Sequence, residues 1–470
     1  MTAATQDRGP QTHSFALGDP SRSFAGGVHP PEGKHLTEDR GIEPGPSAKE
    51  LAVLLSQHIG APAQPAVKKG DIVAAGQQIG ECKSFVCAPV HAPTAGKVKD
   101  VSLLPHAVLG RAMGVIVEAE STTQPTLPPF QRPQGFDSDA YTSEQICEAV
   151  RDAGIVGMGG AGFPTSIKIQ PDTKTPKETL IVNGCECEPY ITCDYRVMLE
   201  WTEQVITGVQ LVARACGAKN IFIAIEDNKP KAIERMNASL QKLGLSAAIR
   251  VVPVKTKYPQ GGERQLIRAV IEKIVPTGGI PPMIGVVVTN VATAAAIADA
   301  VVHGRPLTHR VVTVTGWGVA RPGNYYVSIG TTVQALIDHC GGMTADAVKV
   351  VLGGPMMGIA IADLSTPITK TGGAVMVLTT QQIGKGRFEQ RQTPCIRCGR
   401  CLQACPENLN PTKIAHAVKN SLMDVAESYY ISACIECGCC SYVCPANIDL
   451  SGYIKTGKIF LARRKKKMPS

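Results

Sequence analysis

Two short cysteine runs near the C-terminal end carry the plainest chemistry in the chain. The first, CIRCGRCLQACP, holds Cys395, Cys398, Cys401 and Cys405, followed by Pro406. The second, CIECGCCSYVCP, holds Cys434, Cys437, Cys440 and Cys444, followed by Pro445. Both follow C-x2-C-x2-C-x3-C-P. In that spacing three thiolates wrap one iron–sulfur cubane in a tight loop, and the fourth reaches the neighbouring cluster. The spacing assigns Cys395, Cys398, Cys401 and Cys444 to one [4Fe–4S] cluster. Cys434, Cys437, Cys440 and Cys405 hold the second. Zinc also takes four thiolates, but a triple-plus-proline run that occurs twice points to clusters. Cys439 breaks the spacing and is read as a non-ligand. Arg397 and Arg400 lie between ligands of the first run, and Glu436 stands opposite Arg397 in the second. Positive charge favours the reduced, more negative cluster, so the first cluster is expected to have the higher potential. Two adjacent clusters make a one-electron wire, which needs a donor and an acceptor.

The donor side is sought upstream. GIVGMGGAGFPTSIK, residues 154–168, offers Gly157, Gly159, Gly160 and Gly162, whose backbone amides can approach a flat or anionic ligand. It does not fit the G-x-G-x-x-G dinucleotide pattern. LIVNGCECEPYITCD runs from a strand into Asn183, Glu186 and Glu188. YPQGGERQLI places Tyr258, Gly261 and Gly262 before Glu263 and an expected helix, whose N-terminus can take a phosphate.

These three segments resemble the flavin- and NADH-binding subunit of respiratory complex I, with its GRGGAGFPTG-K loop, N-x-D-E-x-E-P segment and Y-x-x-G-E-E turn. The resemblance implies flavin contacts at Gly157, Gly159, Gly160, Lys168, Asn183, Tyr258, Gly261, Gly262 and Glu263. A later Asn-Asn pair falls on Thr289 and Asn290, and the nicotinamide side on Phe163 and Glu188. Glu186 joins this cofactor set. Two positions depart: the family Asp is Cys185, and the first Glu of Glu-Glu is Gly262. A closer resemblance covers about residues 24–460. GGVHPPEGK (26–34), LSQHIGAPAQPAVKKGDIV (55–73), APVHAPTAGKV (88–98) and GGPMMG (353–358) look like the C component of the Rnf electron-transport complex. That family implies non-covalent FMN, two [4Fe–4S] clusters and NADH as substrate. It implies a ferredoxin-like partner subunit and a peripheral place on the cytoplasmic face of the bacterial inner membrane. The hydride passes between nicotinamide and flavin without a protein acid or base, so no catalytic residue is assigned. The rivals are a soluble, cobalamin-reductase-like flavin/iron–sulfur reductase and a non-enzymatic electron-transfer adaptor.

These groups must be positioned by several domains. The 470 residues are 44% apolar but only 4% aromatic, with 47 glycines and 34 prolines, which suits small strands and tight turns. The expected fold is a multidomain α/β chain. A disordered N-terminus (1–23) precedes a small barrel-sandwich domain (24–125), whose hairpin lacks the lysine of biotin or lipoate carriers. An α/β FMN/NADH-binding domain (135–305) has a mostly parallel sheet. A β-grasp domain (306–382) and a helical, ferredoxin-like two-cluster domain (385–452) follow. A basic tail (453–470) closes the chain, with seven Lys or Arg among the thirteen residues 455–467. It is read as solvated or as docking on an acidic surface. The net charge of +9, without a basic patch interleaved with aromatics, speaks against nucleic acid. The polar start lacks a signal-peptide core, and a reducing compartment is expected. The apolar stretch 284–302 carries Thr289, Asn290, Thr293 and Asp299, so it reads as strand plus helix rather than a membrane span. Cys82, Cys87, Cys147, Cys216 and Cys340 are expected as buried thiols. Cys185, Cys187 and Cys193 are expected to pack rather than bind a third metal. His29 and His91, beside prolines, are expected to be structural.

Overall fold

The computed structural model describes residues 22–121, 124–127, 129–383 and 392–467, so the expectation for 1–23 falls almost wholly outside the described residues. Its centre is a four-stranded, all-parallel sheet in the order Ile249–Val254, Asn220–Glu226, Thr179–Gly184, Val286–Asn290. Parallel strands are covered on both faces, and their side chains here alternate between two cores. Leu180, Val182, Ile223, Ile225 and Val287 face one core, with helices Thr202–Cys216, Pro230–Lys242 and Val291–His303. Ile181, Ala224, Val286 and Val288 face the other, against helix Glu263–Ile271. The apolar stretch 284–302 forms strand Val286–Asn290 and helix Val291–His303. Asn290 ends the one and caps the other, its Oδ1 accepting from Ala292 N and Thr293 N. Among the described residues no helix is long and apolar enough to cross a membrane.

Residues 50–119 form two small antiparallel sheets. One is built on the long hairpin Gly96–His106 and Gly110–Ala119, and the other joins Gln64–Pro65, Gln78–Glu81 and Val90–His91. Here one expectation fails: Cys82 and Cys87 are not separate buried thiols but are joined in a disulfide. Cys216 and Cys340 are buried thiols, and Cys147 is half-buried. His91 is buried, and burial beside Lys370 pushes its pKa down to about 4. His29 is exposed.

The segment before this barrel runs away from it. Ile42–Pro44 adds a parallel edge strand to the five strands of residues 309–379, completing a six-stranded mixed sheet. That sheet carries the expected hairpin, His309–Thr315 with Gly323–Ser328, followed by helix Val333–His339. From it Lys370, fully buried, reaches Pro89 O and Gly154 O at 2.6 Å each, tying barrel and α/β domain together.

The tail expectation is also corrected. Helix Leu450–Lys467 continues through most of residues 453–470. Ile454 and Leu461 bury themselves against Ile414, Val418 and Ile431, and Arg464 pairs with Asp424 at 2.7 Å. Apolar residues at helical spacing pack one face of this helix, while Arg463 and Arg464 stay exposed.

Gly208 marks the tightest helix crossing. A Cβ there would lie 1.8 Å from Ala294 O, on the facing helix. Gly208→Ala is expected to destabilise the protein by about 1–3 kcal/mol through overpacking. The measurement is a lowered denaturant midpoint, with cluster and flavin content followed in parallel.

Candidate functional site

The glycine-rich loop crowns the C-terminal edge of the parallel sheet. Gly159, Gly160 and Ala161 are exposed, and a Cβ on Gly160 would meet nothing within 4 Å. The loop is anchored from below: Met158 N donates to Thr293 Oγ1 at 3.0 Å, and Gly159 sits against Asn290, so a side chain there would clash. Lys168 extends from the next short helix and pairs with Glu263 at 2.6 Å. Asn183, at the end of the central strand, donates to Gly261 O at 2.8 Å and accepts from Cys185 N at 3.0 Å. The N-terminus of helix Glu263–Ile271 has no side-chain cap. Open backbone, a lysine, amide side chains and a free helix N-terminus fit a phosphorylated, planar ligand.

The two acids play different parts. Glu186, expected at the cofactor, is buried, and its carboxylate accepts from Asp194 N (2.8 Å), Tyr195 N (3.3 Å) and the Cys193 thiol (3.4 Å). It is spent on the start of helix Cys193–Glu200, which favours negative charge there. Glu186, Cys193 and Asp194 lie close enough to share an ion, but the helix amides already occupy the Glu186 oxygens. Glu188 Oε1 accepts from Met356 N (3.0 Å) and Met357 N (2.8 Å) of the GGPMMG loop. Gly354 permits this approach, since a Cβ would stand 2.1 Å from Glu188 Cγ. Glu188 Oε2 has no partner among the described residues, and burial pushes this carboxyl above the usual range. Phe163 is half-buried and Thr289 is buried.

The cysteine runs repeat one backbone geometry. Arg397 and Glu436 (φ 58° and 60°), Gly399 and Gly438 (75° and 79°), and Asn408 and Asn447 (54° and 52°) all take left-handed conformations. Arg397 N meets Cys395 Sγ at 3.4 Å, and Glu436 N meets Cys434 Sγ at 3.3 Å. Cys405, Cys434, Cys437 and Cys440 line one hollow, with Cys439 on its wall. Thr393 N donates to Ala446 O at 3.1 Å, which lays the entry to the first run beside Cys444. Eight free thiols in two repeated loops fit two cubanes.

The runs differ in surroundings. Cys395 and Cys398 are exposed, with Ile396 67% and Leu402 43% exposed beside them. The second run is pressed into the protein. Tyr258 Oη donates to Cys437 O at 2.9 Å, and a Cβ on Gly438 would stand 2.9 Å from Met356 O. Glu407, two residues after Cys405, takes Gln265 Nε2 at 2.5 Å and Arg264 Nε at 3.2 Å. Glu436 pairs with Lys458, so the charge contrast between the two loops rests on the arginines.

Residues 150–299 match the Nuo51 FMN-binding domain family, 22–122 the RnfC barrel sandwich hybrid domain, 311–360 the SLBB domain and 391–448 the 4Fe-4S dicluster domain. The chain is 40% identical over 409 residues to the C component of the proton-translocating ferredoxin:NAD(+) oxidoreductase complex of Clostridium ljungdahlii, covering 87% of each. It is 40% identical to the sodium-translocating counterpart of Acetobacterium woodii, over 86% of this chain and 89% of that one. The C component of the ion-translocating oxidoreductase complex of Rhodobacter capsulatus is 42% identical, over 84% and 74%. The chain belongs to the RnfC family of ion-translocating oxidoreductase complexes. An NAD+-reducing [NiFe]-hydrogenase structure is a weaker likeness, with TM-score 0.46 and 23% identity over 63% of this chain and 54% of that one.

With FMN-binding and dicluster domains present, the residues that bring them together stand out. Sequence patterns missed Lys34, whose buried Nζ donates to Glu186 O (2.7 Å), Glu188 O (3.1 Å) and Ile191 O (2.7 Å). Its GGVHPPEGK motif was the signal, but its partners lie more than 150 residues away. Asp194 was also missed. It accepts from Asn290 Nδ2 at 2.6 Å, and burial next to Glu186 pushes its carboxyl up to about 7.

An acid raised in the folded state keeps its proton where the unfolded chain has lost it. Stability therefore falls as pH rises from about 4 to about 7, and the penalty persists above. Asp194→Asn should remove it. The variant should gain about 1–2 kcal/mol over the unsubstituted protein above pH 7, partial exposure reducing the full effect. Denaturant unfolding across pH should show the gain vanish near pH 4.

Proposed function

We propose that this chain is the nucleotide-side subunit of a membrane-bound, ion-translocating complex. It passes electrons between NADH and a ferredoxin-like partner through FMN and two [4Fe–4S] clusters. The observation that carries this reading is the unequal setting of the two cysteine runs: the second abuts the turn of Tyr258 and Gly261, while the first opens to solvent. In the sequence of transfer this gives FMN, second-run cluster, first-run cluster, partner.

In this reading Gly157, Gly159, Gly160 and the Gly261–Gly262 turn line the flavin, and Lys168 and the uncapped N-terminus of helix Glu263–Ile271 take its phosphate. Asn183, Thr289 and Asn290 edge the ring. Phe163 and the free oxygen of Glu188 face the nicotinamide. FMN supplies the conversion between a hydride pair and single electrons. The protein's task is to hold the nucleotide against it and keep water out. Cys395, Cys398, Cys401 and Cys444 hold one cluster, and Cys434, Cys437, Cys440 and Cys405 the other. Ile396, Leu402, Arg397 and Arg400 form the exit face, apolar with a positive rim, which suits an acidic one-electron carrier. Attachment at the cytoplasmic membrane face is peripheral, through the other members of the complex.

The test is purification of the protein with iron, sulfide and flavin analysis and NADH titration. NADH should bleach both flavin and clusters, and acid should release the FMN; flavin that stays on the precipitated protein contradicts a non-covalent site. Cys405→Ala should damage the second-run cluster and Cys444→Ala the first, as read by electron paramagnetic resonance. If Cys405→Ala and Cys401→Ala lost the same signal, the crossed ligation would be wrong.

A further inference from the structure

Tyr258 sits in the turn that serves the flavin, yet its hydroxyl is committed to the cluster side. The residue is 2% exposed, and Oη donates to the carbonyl oxygen of Cys437 at 2.9 Å. Its main chain is held as well. Tyr258 N donates to Val28 O and Val28 N to Tyr258 O, both at 2.9 Å, and Cys439 Sγ lies 4.0 Å from that same oxygen. Three residues on, Gly261 N meets Cys187 Sγ at 3.2 Å. Val28, Tyr258, Ala404, Cys437 and Cys439 form one buried cluster, with Cys187 and Met356 against it.

We propose that Tyr258 is a positioning residue that sets the reduction potential of the second-run cluster through its hydrogen bond to Cys437. The inference rests on the reading above that Cys434, Cys437, Cys440 and Cys405 hold that cluster. One-electron reduction adds negative charge to a site whose wall is largely apolar, with Glu407 held by Arg264 and Gln265. A fixed O–H dipole with its positive end toward a ligand residue stabilises that charge, and it acts strongly where water is excluded. The nearest acid on the loop does not counter it, because Glu436 is paired with Lys458. The first run has a hydroxyl of its own, Thr412 Oγ1 at 2.9 Å from Cys401 Sγ, so Tyr258 acts on the second-run cluster and Thr412 on the first. The Tyr258 hydroxyl therefore raises the potential of one cluster alone. It does so from the turn whose far end edges the flavin site, which places the tuning on the side where electrons enter.

The experiment is a redox titration of the whole reconstituted protein, followed by electron paramagnetic resonance, with each signal assigned by Cys405→Ala and Cys444→Ala. In Tyr258→Phe the second-run potential should fall and the first-run potential stay fixed, with both signals at full intensity. A role in packing alone would leave both potentials in place. No shift, or an equal shift in both clusters, overturns the inference. If Tyr258→Phe loses the second-run signal, difluorotyrosine at position 258 keeps the ring and donates more strongly. The potential must then rise, and an unchanged value overturns the inference. Unsubstituted protein without a second-run signal overturns the cluster reading, and the inference with it.

Discussion

The hydrogen bond from Tyr258 to Cys437 joins two domains across 179 residues of chain. Electron transfer between bound groups demands that they stay close, and neither domain can enforce that alone. The α/β sheet fixes the glycine loop and Asn183, while the cysteine loops fix only their own clusters. Closeness comes from the turn 258–262, from Arg264 and Gln265 on Glu407, and from the N-terminal strap. Gly26 lies against Cys405 O, where any side chain would collide, and Gly27 N donates to Ala404 O at 2.9 Å. The strap thus touches both the flavin turn and the first run's last cysteine.

Buried amines do much of the remaining tying. Lys34 gives its three donors to three carbonyls of the segment 186–191, and burial pulls its pKa down. Lys370 reaches two carbonyls, one in the barrel and one in the α/β domain, with its pKa pulled down to about 7 by burial. Removing either would strand carbonyls away from water, at about 1–3 kcal/mol for each unsatisfied group. Both lysines satisfy backbone in irregular loops, where no sheet or helix partner exists. Irregular loops are where the site needs its shape, so the cost of charge burial is met at these positions.

Local patterns were legible in the sequence, and long-range ones were not. Two cysteine runs of fixed spacing announce clusters because three of the four cysteines of each run lie within seven residues. The apolar stretch 284–302 resolved into strand and helix because Asn290 is a good cap at the joint. The role of Glu186 could not be read, since a carboxylate before a helix caps it or faces a ligand according to the turn between. Tyr258 stood out in its turn, but its hydroxyl partner belongs to another domain. The Cys82–Cys87 disulfide was missed because a pair of cysteines five apart, outside any motif, reads equally well as two thiols. The basic tail was misread by its charge, when Ile454 and Leu461 at helical spacing decide its packing.

That last helix bears on the clusters as well as on the fold. Lys458 donates to Cys434 O at 2.9 Å and pairs with Glu436. The only acid within the second loop is thereby neutralised by a residue from the supposed tail. Without that pairing a half-buried carboxylate beside the second run would oppose reduction there. With it, the contrast between loops reduces to Arg397 and Arg400, which are exposed and screened. The charge contrast between the two loops is then smaller than the bare sequence implies.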